Sequence, residues 1–457
     1  MKMKSIAKFM SFIVIVCWLS SCQKFLDERP DKSQVIPLTM EDCQALLNNA
    51  GTLGAGYPVS LEISSDDYYL LPATWETLTP DRRDPYLWKV DANVNLGDWL
   101  SPYNRVLVAN QVIETLEKIK PTEQQQSQWN SIKGAALLLR SIYFYGLAQE
   151  FTQPYNVSTA TQNLGIPIRL TPSISDKTER GTLQQTYDRI LQDFTEAAAL
   201  LPAIRPEGNA SRSVAMPVKA AAYAALARVY LTMGEYSKAY ENADACLKAY
   251  NSLMDYNIID SSPFYPIPRF NEEVLYEVNT SGFVPIFRGI VNLDVNNLYG
   301  DGDLRKMLLF MDNGNNTYKF RGTYGQRGEV FTGLSTAEVY LIRAECAARA
   351  GNIAGAINDL NTLRKSRWNN DNPYEPLDSD NAEDALKLTL RERQKELPFR
   401  GLRWTDLRRL NSDSRFAVTL RREMNGQQYE LRPNDLRYTL LIPREILERV
   451  GIPQNPR

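Results

Sequence analysis

The stretch that decides the fold begins STAEVYLIRAECAARAGNIAGAINDLNTLRKSR, residues 335–367. Its apolar residues recur at helical spacing in two runs, which are separated by the pair Gly351-Asn352. These two residue types readily adopt the left-handed backbone that ends one helix and lets the next fold back. Small residues at Ala344 and Ala356 allow the two backbones to approach closely. The sequence therefore predicts a helical hairpin made of Ala337–Arg349 and Gly351–Arg367.

A second hairpin of the same pattern is predicted at Pro217–Tyr250, where Gly234 separates two runs of small and large apolar residues. Both hairpins resemble the tetratricopeptide repeat in this alternation. Because such hairpins cannot bury their apolar faces alone, they should stack into one scaffold. We expect a mostly α fold, with tetratricopeptide-like hairpins and long irregular or short-strand insertions that carry the ligand surface. Further helices are predicted from Trp99 to about Lys120, over Gly134–Phe151 and over Thr182–Leu201.

The segment RERQKELPFRGLRWTDLRRL, residues 391–410, combines dense charge with aromatic residues. Glu392 and Glu396 lie one helical turn apart, and the arginines that follow can reach carboxylates. Phe399 and Trp404 can anchor apolar surface. Two interpretations are open, namely an ion-pair network that locks this helix onto the hairpin and a role in binding or catalysis. We favour the network.

The hairpin and the charged segment together carry a family resemblance. The runs AEVYLIRAE at 337–345, RER at 391–393 and FRGLRW at 399–404 closely resemble the C-terminal region of SusD/RagB-family lipoproteins. The run LIPREI at 441–446 looks like the ending of that family. The resemblance implies a protein that binds nutrients at the outer surface of Bacteroidetes-type bacteria. It also implies a partner, a TonB-dependent, SusC-like outer-membrane barrel that receives the nutrient.

The N-terminus has the pattern of a lipoprotein signal. Three lysines in the first eight residues precede an apolar run, Phe9–Leu19, which is too short to span a bilayer as a permanent helix. The run ends in LSSC, residues 19–22, which resembles a bacterial lipobox. We expect Cys22 to be the acylated first residue of the mature chain and its acyl chains to form the membrane anchor. The alternative is an ordinary signal peptide followed by a chance cysteine.

The composition excludes several classes of function. The chain has 457 residues, no histidine and a formal net charge of −2. Catalysis by Ser-His-Asp or Cys-His groups and zinc ligation by histidine both need the missing residue. A nucleic-acid binder would need a basic patch, against which this charge argues. We therefore expect no catalytic residue, no cofactor, no metal site and no nucleic-acid partner.

The cysteine pattern also fits the expectation that the chain has no metal site. After signal cleavage and acylation, Cys43, Cys246 and Cys346 remain, an odd number without a CxxC pair. Neither a disulfide framework nor a metal site is indicated. Cys246 and Cys346 fall at small-residue positions of the predicted hairpins, so we expect them to be buried apolar thiols.

Residues 61–98 form the most aromatic and least periodic part of the mature chain. Aromatic side chains on loops can offer apolar faces to sugar rings, with nearby Asp and Asn side chains for the hydroxyls. We predict a shallow, exposed cleft lined by such rings, and the alternative is that they pack onto their own domain. The candidates are Trp75, Tyr86 and Trp88 here and, ranked second, Tyr299, Tyr318 and Tyr324 in residues 251–333.

The predicted organisation is a signal peptide (1–21), a tether and start of the mature chain (22–60), an N-terminal helical region with an aromatic insertion (61–250), an irregular insertion (251–333) and a C-terminal region (334–457).

One hypothesis is an outer-membrane lipoprotein, facing the cell exterior, that binds a glycan and passes it to a SusC-like barrel. An oligopeptide ligand, as RagB-like members imply, competes with the glycan. The other hypothesis is a helical-repeat scaffold for protein interactions. The lipobox and the aromatic insertions favour the first hypothesis, because a cytosolic-type scaffold needs neither.

The anchor hypothesis is tested by Cys22→Ala. Because the lipid is joined to the cysteine sulfur before cleavage, the variant should remain an uncleaved precursor or become a soluble form. Fractionation of cells, with Cys43→Ala as the matched control, measures this. A Cys22→Ala protein that still partitions with the outer membrane after detergent extraction would show the assignment to be wrong.

Overall fold

Local capping signals set the helix boundaries. Thr182 accepts a hydrogen bond from the Gln185 amide at 3.1 Å, and the Gln185 side chain accepts one from the Thr182 amide at 2.9 Å. This reciprocal pair satisfies two amides that the first helical turn leaves without partners. Gly234 and Gly351 both have a φ of +78° just after a helix. The computed structural model describes residues 37–173, 175–176, 179–205, 214–280, 285–322, 324–325 and 328–457.

The helices lie in both the predicted scaffold and the predicted irregular segments. In chain order they are α1 (Met40–Leu47), α2 (Ala50–Leu53), α3 (Ser60–Ile63), α4 (Pro72–Glu76), α5 (Pro80–Tyr86), α6 (Leu96–Lys118), α7 (Gln126–Phe151), α8 (Leu183–Leu200), α9 (Lys219–Met233), α10 (Tyr236–Ala249), α11 (Leu293–Asn296), α12 (Arg305–Leu309), α13 (Thr336–Arg349), α14 (Ile353–Lys365), α15 (Ala382–Glu396), α16 (Arg403–Leu410) and α17 (Arg444–Val450).

The strands are short and form antiparallel pairs. They are β1 (Tyr68–Tyr69), β2 (Leu164–Pro167), β3 (Arg180–Thr182), β4 (Val274–Tyr276), β5 (Ile290–Val291), β6 (Phe310–Gly314), β7 (Thr317–Phe320), β8 (Leu334–Ser335), β9 (Leu420–Met424) and β10 (Gln427–Leu431). The pairs are β1–β5, β2–β3, β4–β8, β6–β7 and β9–β10. Within residues 251–333, where short strands are expected, the structure has β4, β5, β6 and β7, and Phe331 makes a single bridge to Asn279.

The helices from α6 to α10 form a scaffold in which each packs against the next, and α10 then packs against α13. The last 18 residues of α7, Gly134–Phe151, are buried on every side, as expected of a helix at the centre of a core. The two predicted hairpins are present as α9–α10 and α13–α14, and the mostly α fold is confirmed. Their match to the tetratricopeptide repeat stays a prediction.

A second apolar core lies between the two irregular segments. It contains aromatic residues from residues 68–86 and from residues 256–331, together with Phe399. Residues 61–98 are therefore not a set of open loops, because they fold into short helices and a strand over this core. Residues Thr39–Arg457 form one compact unit, which contains the regions predicted at 61–250, 251–333 and 334–457.

The charged segment 391–410 is not one helix. Pro398 lacks an amide hydrogen, Phe399 has a φ of +57°, and the helix breaks there into α15 and α16. The break directs Phe399 into the second core, where its ring lies 4.2 Å from Phe320 and 6.2 Å from Tyr68, measured between centroids. Trp404, on the other side of the break, is fully buried against Tyr438 in the helical core. One segment thus anchors both cores.

The predicted ion-pair network is confirmed, but its partners lie beyond the hairpin. Arg305 of α12 donates to Glu392 at 2.5 Å and to Glu396 at 2.8 Å. Arg367, just after α14, donates to Glu396 at 2.8 Å and to Glu273 at 2.6 Å. All five side chains are buried. The network therefore joins α15 to the irregular insertion as well as to the hairpin.

The cysteine predictions are also confirmed. Cys246 and Cys346 are buried and free, as is Cys43. Burial, together with the charge of Glu345, raises the pKa of the Cys346 thiol to about 12. These thiols therefore stay protonated and act as small apolar groups.

The hairpin turn is tested by Gly351→Val. Nothing lies within 4 Å of the position a Cβ would take, so the cost comes only from the left-handed backbone, which a β-branched residue resists. The loss of unfolding free energy should be about 1–3 kcal/mol. Gly300→Val is the matched control, because it also has open space but does not have a positive φ. Equal melting temperatures for the two variants in a thermal scan would contradict the assigned turn.

Candidate ligand-binding surface

The two irregular segments meet at the pair β1–β5. Tyr68 lies opposite Val291 and Tyr69 opposite Ile290, and the Asn292 amide donates to the Asp67 carbonyl at 2.9 Å. Gly289 permits this approach, because a Cβ there would lie 2.5 Å from the Tyr68 ring. Segments more than 200 residues apart in sequence therefore form one surface.

A series of aromatic rings runs from this surface into the second core. Phe264 and Tyr265 lie 4.8 Å apart between ring centroids, and Tyr265 and Phe287 lie 6.4 Å apart. Phe287 contacts Phe320, which in turn contacts the buried Phe399. Phe264 is 51% exposed, whereas Tyr265 and Phe287 are half-buried. Each ring is held by the next, so the outer rings sit on a packed base.

Trp75 joins the same region from α4. Its ring is half-buried against the second core, and the Arg83 guanidinium lies over it at 5.2 Å from the centroid. Arg288 donates to the Thr77 hydroxyl at 3.3 Å, which ties the end of α4 to the residue after Phe287. Tyr318 of β7 is also half-buried against this core. We define the aromatic surface as Trp75, Phe264, Tyr265, Phe287 and Tyr318.

A group of acidic side chains lies directly behind β1. Asp66 pairs with Arg403, with Oδ1–Nε at 2.6 Å and Oδ2–Nη2 at 2.8 Å. Glu62 accepts from the Gly401 amide at 2.8 Å, and Asp67 accepts from the Phe399 amide at 3.2 Å. These bonds fix the break between α15 and α16 against the strand that forms the surface.

The three carboxyl groups do not share the same charge state. Burial, and then the neighbouring charge of Asp67, raises the pKa of Glu62 to about 8. Burial and the charge of Asp66 raise the pKa of Asp67 to about 7. Burial opposes ionisation of Asp66 as well, but Arg403 holds the pKa of that carboxyl below its usual value. One carboxylate is therefore charged and paired, and its neighbours hold protons near neutral pH.

Comparison with known proteins identifies the chain. A family model described as "Starch-binding associating with outer membrane" matches residues 24–231, and the SusD family model matches residues 287–443. This chain belongs to the SusD/RagB family. SusD-family members are binding proteins, so the expectation that this protein is not an enzyme is confirmed.

Individual relatives agree with the family assignment. SusD-like protein P2 from Formosa agariphila is 23% identical over 394 residues, which cover 70% of this chain and 74% of that protein. A SusD superfamily protein from Bacteroides thetaiotaomicron has a TM-score of 0.72 at 23% identity, covering 92% of this chain and 100% of that one. Surface glycan-binding protein A from Bacteroides fluxus has a TM-score of 0.69 at 18% identity, with coverages of 92% and 100%. These structures share the fold of this SusD-family protein.

Four of the six predicted ligand residues, Tyr86, Trp88, Tyr299 and Tyr324, are not on the surface, and this corrects the expected cleft. Tyr86, Trp88 and Tyr299 are 1%, 3% and 4% exposed. The Tyr86 hydroxyl accepts from the Leu70 amide at 2.8 Å, and the Trp88 indole donates to the Ser64 carbonyl at 3.0 Å. As placed, these rings cannot stack on a sugar. They pack inside because partners distant in sequence cover them.

Tyr299 and Tyr324 show the same effect in the second irregular segment. The Tyr299 hydroxyl donates to the Lys395 carbonyl at 2.7 Å, and the Tyr324 hydroxyl donates to Glu273 at 2.6 Å. Both rings are buried. Of the predicted residues, Trp75 and Tyr318 remain candidates, and Cys22 lies outside the described residues.

The sequence prediction missed Phe264, Tyr265 and Phe287. A usable signal was present, because Phe264 and Tyr265 stand between Pro263 and Pro266. Prolines on both sides keep an aromatic pair out of a helix or a central strand and favour its exposure.

In the part of the chain that the structure describes, no group of three or more His, Cys, Asp or Glu side chains is placed to hold a metal ion. No helix among the described residues is both long enough and apolar enough to cross a membrane.

The acidic group predicts a pH dependence of stability. A carboxyl whose pKa is raised by folding binds its proton more tightly in the folded chain. The stability it contributes is complete below its unfolded pKa and is lost as the pH rises through about 7–8. Glu62→Gln should reduce this loss by on the order of 2 kcal/mol between pH 5 and pH 8.5.

Denaturant unfolding at several pH values measures this change. Glu375→Gln is the control, because that side chain is exposed. If Glu62→Gln and Glu375→Gln show the same pH profile as the unchanged protein, Glu62 does not hold a proton in the folded state.

Proposed function

We propose that this SusD-family protein binds a glycan on its aromatic surface, while anchored in the outer membrane through Cys22, and passes the glycan to a TonB-dependent, SusC-like barrel. The matching family model is described as starch-binding and associated with the outer membrane, and one structural relative is named a surface glycan-binding protein. The observation that carries the proposal is the run of exposed and half-buried rings from Phe264 to Phe287, to which the hydrogen bond from Arg288 to Thr77 ties the helix that carries Trp75.

Ring stacking is the mechanism that this surface supports best. Sugars are well hydrated, so hydrogen bonds to their hydroxyls mostly replace bonds to water and contribute little net free energy. The apolar face of a sugar contributes roughly 25 cal/mol per Å² buried against an aromatic ring. Phe264 is the most exposed ring of the surface and offers the most area. A few such contacts predict weak binding, on the order of micromolar to millimolar.

Polar groups beside the rings can orient the ligand. Thr77 and Arg288 are both exposed and lie next to Trp75 and Phe287 along the chain. Their hydroxyl and guanidinium groups suit sugar hydroxyls, which both donate and accept. Weak binding also suits a protein that must release its ligand to a transporter.

An oligopeptide is the alternative ligand, because a peptide with aromatic or aliphatic side chains could use the same rings. The two ligands differ in their polar requirements, since a peptide in extended form presents backbone amides. Titration of the protein with a mixed panel of glycans and peptides distinguishes the two ligand classes.

The proposal is tested with Phe264→Ala and Trp75→Ala. Each removes a ring face from the surface, so glycan affinity should fall by roughly tenfold for each variant. The melting temperature should stay nearly unchanged for Phe264→Ala, because half of that side chain is exposed. Isothermal titration calorimetry of the purified protein against a panel of oligosaccharides and oligopeptides measures the affinities.

Tyr86→Phe is the control within the same segment. Tyr86 is buried, so removing its hydroxyl should lower stability by about 1 kcal/mol through the lost bond to Leu70 and should leave binding unchanged. Binding of peptides but not of glycans would show that the ligand is an oligopeptide. Unchanged glycan affinity in both Phe264→Ala and Trp75→Ala would show that the glycan binds outside the aromatic surface.

A further inference from the structure

A polar cavity lies in the helical scaffold, formed by residues other than those of the aromatic surface. It has a volume of about 260 Å³ and lies between the loop after α7, the turn between α9 and α10, the end of α16 and residues 434–439. We call it the α16 cavity. Pockets that hold drug-sized molecules have volumes of roughly 300–1,000 Å³, so this cavity suits a ligand of about one sugar unit. Its accessible polar wall consists of Gln153, Asn156, Asn163, Tyr236 and Asn434.

Two side chains of this wall have polar atoms that reach solvent and have no hydrogen-bond partner among the described residues. They are the amide of Gln153 and the hydroxyl of Tyr236. Both residues are half-buried, so their polar atoms stand in the cavity wall and not on an open surface. The fold therefore makes no use of these groups for hydrogen bonding, and they are available to a ligand.

Three asparagine side chains of the wall use only one end of their amide groups. Asn163 donates to a hydroxyl at 3.0 Å, and Asn434 donates to a backbone carbonyl at 3.1 Å, both through Nδ2. Asn156 accepts from a backbone amide at 2.9 Å through Oδ1. These bonds fix the side chains and leave two acceptors and one donor without partners in the described part of the chain. The cavity therefore offers donors and acceptors together.

The charged groups of the wall are already satisfied. Arg409 is held by two carboxylates, at 2.6 Å and 2.8 Å, and Asp435 is held by Arg437 at 2.7 Å. Arg408 is 3% exposed, and its two terminal nitrogens donate to backbone carbonyls at the end of α7. An ionic ligand would therefore find no free opposite charge in this cavity, and burying its charge there would be costly.

Two tyrosine rings in the wall add apolar area. The Tyr155 ring lies 4.8 Å from that of Tyr187 between centroids, and its hydroxyl donates to Gln184 at 2.8 Å. The Arg349 guanidinium lies 4.4 Å from the centroid of the Tyr236 ring. Both rings are thus held in place before a ligand arrives, which lowers the ordering cost of binding.

We propose that the α16 cavity binds a neutral sugar unit through Gln153, Tyr236 and the three asparagines. Sugar hydroxyls both donate and accept, which matches the mixture of free groups in the wall. The apolar face of a sugar ring suits the tyrosine rings. This site shares no residue with the aromatic surface, so it does not require glycan binding there.

The test is calorimetric titration of the purified full-length chain with glucose, galactose, mannose and xylose, and with triglycine for comparison. The same titrations of the Phe264→Ala, Trp75→Ala double variant remove the contribution of the aromatic surface. We expect at least one sugar to bind the double variant, with a Kd on the order of millimolar. Failure of all four sugars to bind it, or binding of triglycine alone, would overturn the proposal while leaving the aromatic surface to be judged by its own variants.

Variants of the wall locate the bound sugar. Gln153→Leu and Tyr236→Phe each remove a group that has no partner in the described chain, so the melting temperature should not change. Sugar affinity should fall by roughly three- to tenfold in each. Gln162→Leu and Tyr240→Phe are the matched controls, because neither residue lines the cavity, and they should leave the affinity unchanged. Unchanged sugar affinity in both Gln153→Leu and Tyr236→Phe would place the sugar elsewhere and overturn the proposal.

Discussion

The pairing of charge inside α15 is the constraint on which the rest of the structure depends. Glu392 and Glu396 are both buried, and a buried carboxylate without a partner is strongly destabilising. Burial opposes the charge of Glu396, but the guanidinium groups of Arg367 and Arg305 hold its pKa below the usual value. Helix α15 can therefore pack only where both arginines arrive. Because Arg305 comes from the irregular insertion and Arg367 from the end of the hairpin, their convergence fixes the insertion on the scaffold.

The position of the aromatic surface follows from this pairing. Helix α15 ends at Glu396, and the turn that follows directs the Phe399 ring into the second core. Asp67 and Glu62 accept hydrogen bonds from the backbone of the same break, which places β1 and hence its partner β5. The outer rings thus pack on residues that are fixed by these carboxylate hydrogen bonds and ion pairs and by contacts between buried rings. Such a base suits a binding surface, since little order has to be gained when a ligand arrives.

The two adjacent arginines Arg408 and Arg409 attach α16 to two different parts of the scaffold. Arg409 is neutralised by Glu345 and Asp406 and holds α16 to the hairpin. Arg408 donates instead to the backbone carbonyls of Gln149 and Thr152, which holds α16 to the end of α7. Arg422 is held in the same way, by the carbonyls of Tyr86 and Ser65.

The sequence by itself determined the long helices, the two hairpin turns, the ion-pairing role of residues 391–410 and the family. These features depend on residues close together in the chain, such as Gly351 after its helix or Glu392 and Glu396 one turn apart. Only the tertiary structure decided which aromatic residues are exposed. Tyr86 and Trp88 look like loop residues in sequence, but the Arg422 guanidinium, more than 300 residues away, lies 3.7 Å and 4.4 Å from their ring centroids. Burial of a loop side chain is set by what folds over it, and sequence spacing carries no information about such distant partners.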